Sequence, residues 1–393
     1  MKIACVVHRY GADIAGGSET HCRHVAERLA ARHDVTVLTT CARDHVTWAN
    51  ELPHGVSHEG PVTVRRFSVA RQRSMQRFSE ACDGVFLGRP SRDEQEAWFR
   101  ENGPDCPDLL RYLKTEGSTY DRVLFWAFRY ATSFFGLPLV ADRAVLVPTA
   151  EDDPIVRLDV LAAFFSRPSA FVFLTPEERA LVTRRAMRPL EPSVVVGSGL
   201  DPAGPPPATA LEPLGMRKPF LLYLGRVDPN KGCEILIRHF QRYHTARTSS
   251  MQLVLAGPAN MPLPEHPAIL ALGRVDEPLR QALLSEAFLL VVPSPYESLS
   301  LVLLEGWNHG LPALVNGRCD VLKGQVLRAD GGLYYRTYDE FARGIDFLLE
   351  HRDLARQLGR QGLAYVEREY RWPGVMAKIE SLLAGLDRCR AAV

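Results

Sequence analysis

The feature that most constrains this chain is an alternation of apolar strands and amphipathic helices that runs twice, with a break between the runs. KIACVV, HRYGADIAGGSE, THCRHVAERLAARH and DVTVLTT read as strand, glycine-rich loop, helix and strand within the first forty residues. Val25 and Leu29 recur at helical spacing and give that helix one apolar face. A βαβ opening commits the region to a parallel sheet with helices on both faces. DRVLFWAF, RAVLVPTA and FVFLT continue as buried strands, the last before the helical PEERALVTRRA. The pattern stops after SVVVGSGLDP, and Pro202 to Pro219 is dense in proline, glycine and alanine. It then restarts as FLLYLGR, CEILIRHFQRYH, MQLVLAG, PLRQALLSEA, FLLVVPS, LSLVLLEGWNHG and PALVN. We therefore expect two Rossmann-like, doubly wound α/β domains, 1–200 and 219–371, joined by a linker at 201–218. The segment 372–393, containing WPGVMAKIESLLAGL, is expected to be a last helix that packs back on the first domain. Two such domains with a hinge would leave a central cleft at the carboxyl ends of their strands, where open α/β sheets bind ligands.

Composition narrows the partners. A net charge of +1 over 393 residues lacks the basic excess of nucleic-acid binders, so no nucleic acid is expected. No run of 18 apolar residues is present, and the N-terminus lacks the pattern of a signal peptide. The eight cysteines are scattered without a CxxC pair, which suits a reduced, cytoplasmic setting and indicates neither a disulfide framework nor a zinc knuckle.

Two constellations carry chemistry. GRVDPNKG, Gly225 to Gly232, follows the strand FLLYL directly, so Arg226 and Lys231 belong to a loop at a strand's carboxyl end. A guanidinium and an ammonium there suit a diphosphate, although a solvated surface turn has the same composition. After FLLVVPS comes PYESLSLVLLEGWNHGLP, in which seven residues separate Glu297 from Glu305. Glu297 precedes a helix and Glu305 lies near its second turn; free N–H groups are expected at Ser298, Leu299, Ser300 and Leu301. Carboxylate, amide cluster and carboxylate span at most about 12 Å, which fits a ligand with hydroxyls at both ends and phosphates between. Glu305 also sits among Leu303, Leu304 and Trp307, an implausible place for an idle charge.

GRVDPNKG, the PSPYES…LLE stretch and HGLP together resemble retaining GT-B glycosyltransferases of family 4, and GGSE (Gly16 to Glu19) resembles their N-terminal glycine loop. The similarity covers nearly the whole chain. It implies that Arg226 and Lys231 hold the donor diphosphate, Glu297 contacts the transferred sugar, and Glu305 binds ribose hydroxyls. It also implies that Gly16 and Gly17 approach the phosphates and acceptor, and that the backbone of Val275, in LGRVDE, lies near the nucleobase. The run VNGRCDVLKGQVLRADGGLYY is similar to a bacterial branch that works on surface glycans or glycosylated metabolites. The implied activity is metal-independent, retaining, hexosyltransferase-type transfer to a hydroxyl of a saccharide, lipid-linked or small-metabolite acceptor. The nucleotide sugar is a co-substrate and no cofactor is required. A cytoplasmic place follows, with peripheral contact at the inner face of a membrane left open.

The resemblance departs on the acceptor side. DRVLFWAFRY has no histidine where many relatives carry one, Glu151-Asp152-Asp153 stands where His-Asp-Glu is common, and Ser300 replaces a frequent glycine. Arg129, Glu151 and Asp152 are the acceptor-side candidates. EDD also permits a GT-A-like metal site, but that leaves the second α/β half and its glutamate pair unexplained. His21 and His24, three apart on a helix, are expected on a solvated face. The arginines of VRRFSVARQRSMQR and VTRRAMR are expected on surface strands and a basic helix face, with an anionic acceptor or membrane as the other reading. A non-catalytic nucleotide-sugar-binding relative and a sugar-nucleotide epimerase are the alternatives to a transferase.

Overall fold

A computed structural model describes all residues except 15, 187–188, 205–210, 212–213, 215, 217, 248–249 and 392–393, with the backbone alone at 387–391. Much of the expected 201–218 linker, with Met187 and Arg188 of VTRRAMR, thus lies outside the described residues. The chain divides into two compact units: Met1–Gly197 with Val375–Val393, and Ser198–Gly374.

The first unit is built on an eight-stranded sheet. β1 (Lys2–Val6) runs parallel between β2 (Asp34–Thr40) and β5 (Arg122–Trp126). Beyond β2 lie β4 (Val62–Phe67) and the antiparallel edge strand β3 (Gly55–Glu59); beyond β5 lie β6 (Ala144–Val147), β7 (Ala170–Phe173) and β8 (Ser193–Val195). Central strands such as RVLFW are buried at every position, as a parallel sheet covered on both faces requires. Helix α1 (Gly17–Leu29) buries Cys22, Val25, Ala26 and Leu29 on one side. Three helices that the alternation does not announce, α2 (Met75–Phe86), α3 (Arg92–Asn102) and α4 (Pro107–Glu116), intervene between β4 and β5. They help form an aromatic core in which Phe99 stacks on Phe134 at 3.8 Å and Phe134 on Phe164 at 5.4 Å. Two further helices, α5 (Ala131–Gly136) and α6 (Val160–Phe165), flank β6, and α7 (Pro176–Ala186) follows β7.

Two expectations are corrected in this unit. Arg66 is buried in β4, a strand paired on both sides, and bonds Glu59, Ser57 Oγ and the Tyr10 carbonyl; it does not belong to a surface strand. His21 is likewise buried, not solvated. Trp126 Nε1 donates to its Nδ1 at 3.0 Å, so its Nε2 carries the proton and donates to the Gly197 carbonyl at 3.2 Å. Burial in this neutral tautomer lowers its pKa to about 4, against 6.5 ordinarily. In the unfolded chain His21 protonates first as pH falls, so stability rises with pH between about 4 and 6.5. We expect about 3 kcal/mol from this group over that window. Comparing wild type with His21→Gln in urea at pH 7 and pH 4.5 tests it: the difference should move against the wild type on acidification. A pH-independent difference would reject the assignment.

The second unit has a six-stranded, all-parallel sheet in the order β11-β10-β9-β12-β13-β14. These are β9 (Phe220–Leu224), β10 (Gln252–Ala256), β11 (Ile269–Gly273), β12 (Leu289–Val292), β13 (Ala313–Asn316) and β14 (Gly332–Tyr335). Helices α8 (Cys233–Arg247), α9 (Glu277–Glu286), α10 (Leu301–Asn308) and α11 (Asp320–Ala329) connect successive strands, and α12 (Tyr338–Glu350) and α13 (Arg352–Glu369) follow. The last helix, α14 (Trp372–Ala391), passes from this unit into the first at Val375. Among the described residues no helix is long and apolar enough to cross a membrane.

Candidate functional site

Strands β9 and β12 are neighbours although β10 and β11 separate them in sequence. Strand order reverses at that point, so the loops after β9 and β12 emerge side by side at the carboxyl edge, the place where open α/β sheets bind ligands. Contact between the two loops is close. Gly232 has φ 74°, and a Cβ there would overlap the Pro293 carbonyl, which explains the glycine ending GRVDPNKG.

This geometry brings Lys231 and Glu297 together. Lys231 Nζ lies 2.9 Å from Glu297 Oε1, the lysine half-buried and the glutamate more so. Exposed Arg226 reaches back to Asp228, Nε to Oδ2 at 3.3 Å, and its carbonyl accepts from Tyr223 Oη at 2.6 Å. Asp228 also accepts from the Asn230 amide at 2.8 Å, forming the Asx-type turn that DPN encodes. That turn was a readable signal for Asp228 as a member of the site, and the sequence reading missed it.

Glu305 lies in the second turn of α10. Its partner is Arg280 of α9, which bonds Glu305 with one arm and Glu277 with the other, at 3.1 and 3.2 Å. Burial pushes the Glu305 carboxyl up and Arg280 draws it back down; burial opposes the Arg280 charge, and the two glutamates more than offset this and raise its pKa. Val275 is half-buried on the loop just before α9. α9 begins at the Asp276 N-cap, so one short element carries both Val275 and the Glu305 partner.

Within the expected amide cluster, Ser298–Leu301, the Ser300 amide is already used, and the free helix amides extend to Val302. Leu299 and Ser300 are buried. The Ser300 amide donates to Gln325 Oε1 at 3.3 Å, and its Oγ caps the Leu303 amide at 3.3 Å. Ser300 is thus the N-cap of α10, a role its hydroxyl fills better than the glycine frequent in relatives. The amides of Leu301 and Val302, first in the helix, are those without an intrahelical acceptor.

In the first unit Gly16 is the N-cap of α1, and a Cβ on it would overlap the Glu19 carboxylate. Glu19 is buried and bonded to His8 Nε2 at 3.0 Å, to Arg9 and to Ser18. Burial opposes its charge, but His8, Arg9 and Ser18 hold its carboxyl well below the usual range. Arg129 donates to Glu151 at 3.1 Å and to Asp153 at 3.0 Å. Asp152 is not part of this cluster and pairs with Arg157 at the surface, because Asp153 caps the Ile155 and Val156 amides and turns inward in its place. The carboxylates converge on a guanidinium, and among the described residues no group of three or more His, Cys, Asp or Glu could hold a metal.

Residues 218–351, which carry the Arg226, Lys231, Glu297 and Glu305 constellation, match the family described as glycosyl transferases group 1. This is a group 1 glycosyltransferase domain, of family 4. The glycosyltransferase is 24% identical to an uncharacterized glycosyltransferase of Methanocaldococcus jannaschii, over 95% of this chain and 96% of that protein. Its fold is that of sucrose-phosphate synthase from Thermosynechococcus elongatus, with TM-score 0.74 and 19% identity over 99% of both chains. Anabaena HepE in complex with UDP-glucose has TM-score 0.71 and 14% identity over 98% of this chain and 100% of that one. E. coli trehalose-6-phosphate synthase bound with UDP-2-fluoro glucose has TM-score 0.71 and 13% identity, over 98% and 99%. The fold is GT-B, and the glycosyltransferase is an enzyme of the retaining class.

Proposed function

We propose that this glycosyltransferase moves a sugar from a nucleoside-diphosphate sugar to a hydroxyl acceptor in the making of a glycan or glycosylated metabolite. The observation that carries the reading is the Lys231–Glu297 contact, which joins a phosphate-binding cation and a sugar-binding carboxylate across the two loops of one strand-order reversal. The donor diphosphate lies against Arg226, Lys231 and the first amides of α10. As the anomeric C–O bond breaks, negative charge grows on the departing diphosphate, and these fixed groups stabilise it. The acceptor oxygen forms the new bond on the same face, and its proton goes to the departing phosphate oxygen. Glu297 orients the sugar, Glu305 holds the ribose, and the Val275 backbone lies at the base. Two side-chain cations supply charge that a divalent ion would otherwise bring, so no metal is required. Gly16 and Gly17 stay proposed for the phosphates, and Arg129, Glu151 and Asp152 for the acceptor, with Asp153 beside Arg129 supporting that reading. An acceptor-side domain at 1–200 and a donor domain at 219–371 belong to the same reading, as do a cytoplasmic place and peripheral contact with a membrane.

The test separates the two glutamates. Glu305→Gln should weaken nucleoside diphosphate and nucleotide sugar alike, seen mainly in KM. Glu297→Gln should leave free diphosphate binding nearly intact and lower kcat, by roughly 1.5–3 kcal/mol of transition-state stabilisation. Calorimetry with the diphosphate beside steady-state kinetics with the donor measures both. Loss of diphosphate binding in Glu297→Gln with none in Glu305→Gln would reverse the ligand and sink the assignment.

A further inference from the structure

The loop between β12 and α10 carries Glu297 and ends at the first amides of α10, and side chains from β13 and α11 hold it from behind. Asn316 Nδ2 donates to the carbonyls of Pro293 at 3.1 Å and Ser294 at 3.4 Å. Deeper in the unit, Gln325 of α11 is fully buried, and its Oε1 accepts the Ser300 amide. This bond fixes the amide's orientation, because a flipped Gln325 would set its NH₂ against the Ser300 N–H. Gln325 Nε2 then has no hydrogen-bond partner. A wholly buried amide with an idle donor is a stability liability, which points to what its other end does.

We propose that Gln325 is a positioning residue for the donor diphosphate: through the Ser300 amide it sets the start of α10, so that the Leu301 and Val302 amides face the phosphates. Ser300 is tied at two points, its amide by Gln325 and its hydroxyl by Leu303. With the first tie cut, Ser300 keeps its cap and its carbonyl keeps the Leu304 amide, but the start of α10 loses its anchor to α11, and the Leu301 and Val302 amides shift with it. A group aimed in advance acts without reorganisation at the moment of binding, which is where such an amide gains its strength. Gln325 touches no substrate in this account, and it acts on phosphate, not on base or ribose. The inference rests on the donor reading above.

The probe is whichever of UDP, GDP, ADP and dTDP most raises the wild-type Tm, with its parent nucleoside as the phosphate-free control. Gln325→Met keeps the volume and removes the acceptor. Ser300→Pro removes the amide together with the capping hydroxyl, leaves Gln325 in place, and needs only a small change from the φ of −86° at that position. Each should raise the Kd of the diphosphate about tenfold and leave the nucleoside unchanged, and the double variant should be no worse than either single one. A merely structural role would weaken diphosphate and nucleoside together. If Gln325→Met does not fold, Ser300→Pro alone decides, since unchanged diphosphate affinity in it overturns the proposal. Additive losses, near a hundredfold in the double variant, also overturn it. Arg226→Ala separates the two readings: binding lost there but kept in both other variants removes Gln325 and leaves the donor site standing. A wild-type protein that binds none of the four diphosphates overturns both.

Discussion

Lys231→Ala should lower kcat/KM by about 10²–10³, the usual cost of removing one fixed group aimed at developing charge. Two losses combine in that variant. The ammonium leaves the diphosphate, and Glu297 loses the partner 2.9 Å away that fixes its carboxylate. Lys231→Arg keeps the charge but spreads it over a bulkier planar fork on a stem one methylene shorter, so it should recover only part of the activity. Folding should be little affected, because the lysine is about a third exposed and such pairs add little stability. Added Mn²⁺ or Mg²⁺ should not restore turnover, since among the described residues no group of three or more His, Cys, Asp or Glu could hold a metal. Steady-state kinetics on a variant of unchanged Tm measures the effect. Activity within threefold of wild type, or full rescue by Mn²⁺, would show that the charge needed at the diphosphate comes from elsewhere.

The second large effect belongs to Arg280, which no motif marks. Arg280→Met should destabilise the protein by about 3 kcal/mol, because it leaves the largely buried Glu305 carboxylate without its partner. Burial already raises the Glu305 pKa, and without the guanidinium it rises further. A carboxyl with a raised folded-state pKa favours the native state when protonated, so the deficit should shrink as pH falls from 7 toward 5. Arg280→Met with Glu305→Gln should recover most of the stability and none of the ribose affinity. Urea unfolding of the two singles and the double at both pH values forms the cycle. A deficit that does not depend on pH would mean that Arg280 contributes packing and not charge.

Much of the second unit was legible because its signals are local. FLLYL and LLVV are continuous apolar runs, QLVLA is one after its first residue, and all are buried strands. Arg226, Lys231 and Glu297 follow such runs directly, so their place at a carboxyl edge could be read from order alone. The α2–α4 region was less legible. Its polar faces hide the periodicity, although Ser91 and Glu94 form a capping box that their spacing announces. The β3 strand, GVSHE, is a half-exposed edge strand with one apolar side chain, too few to stand out.

What the sequence by itself determined is the alternation, the two parallel sheets and the residue types after each strand, because hydrophobic period and turn chemistry act over a few residues. Only the tertiary structure decided the pairings: Lys231 with Glu297, 66 residues apart; Arg280 with Glu305; Gln325 with Ser300; His21 with Trp126. A charged or polar side chain reads alike in sequence whether water or a partner satisfies it. Burial makes the partner obligatory, and which residues are buried together is settled by how strands order themselves in a sheet.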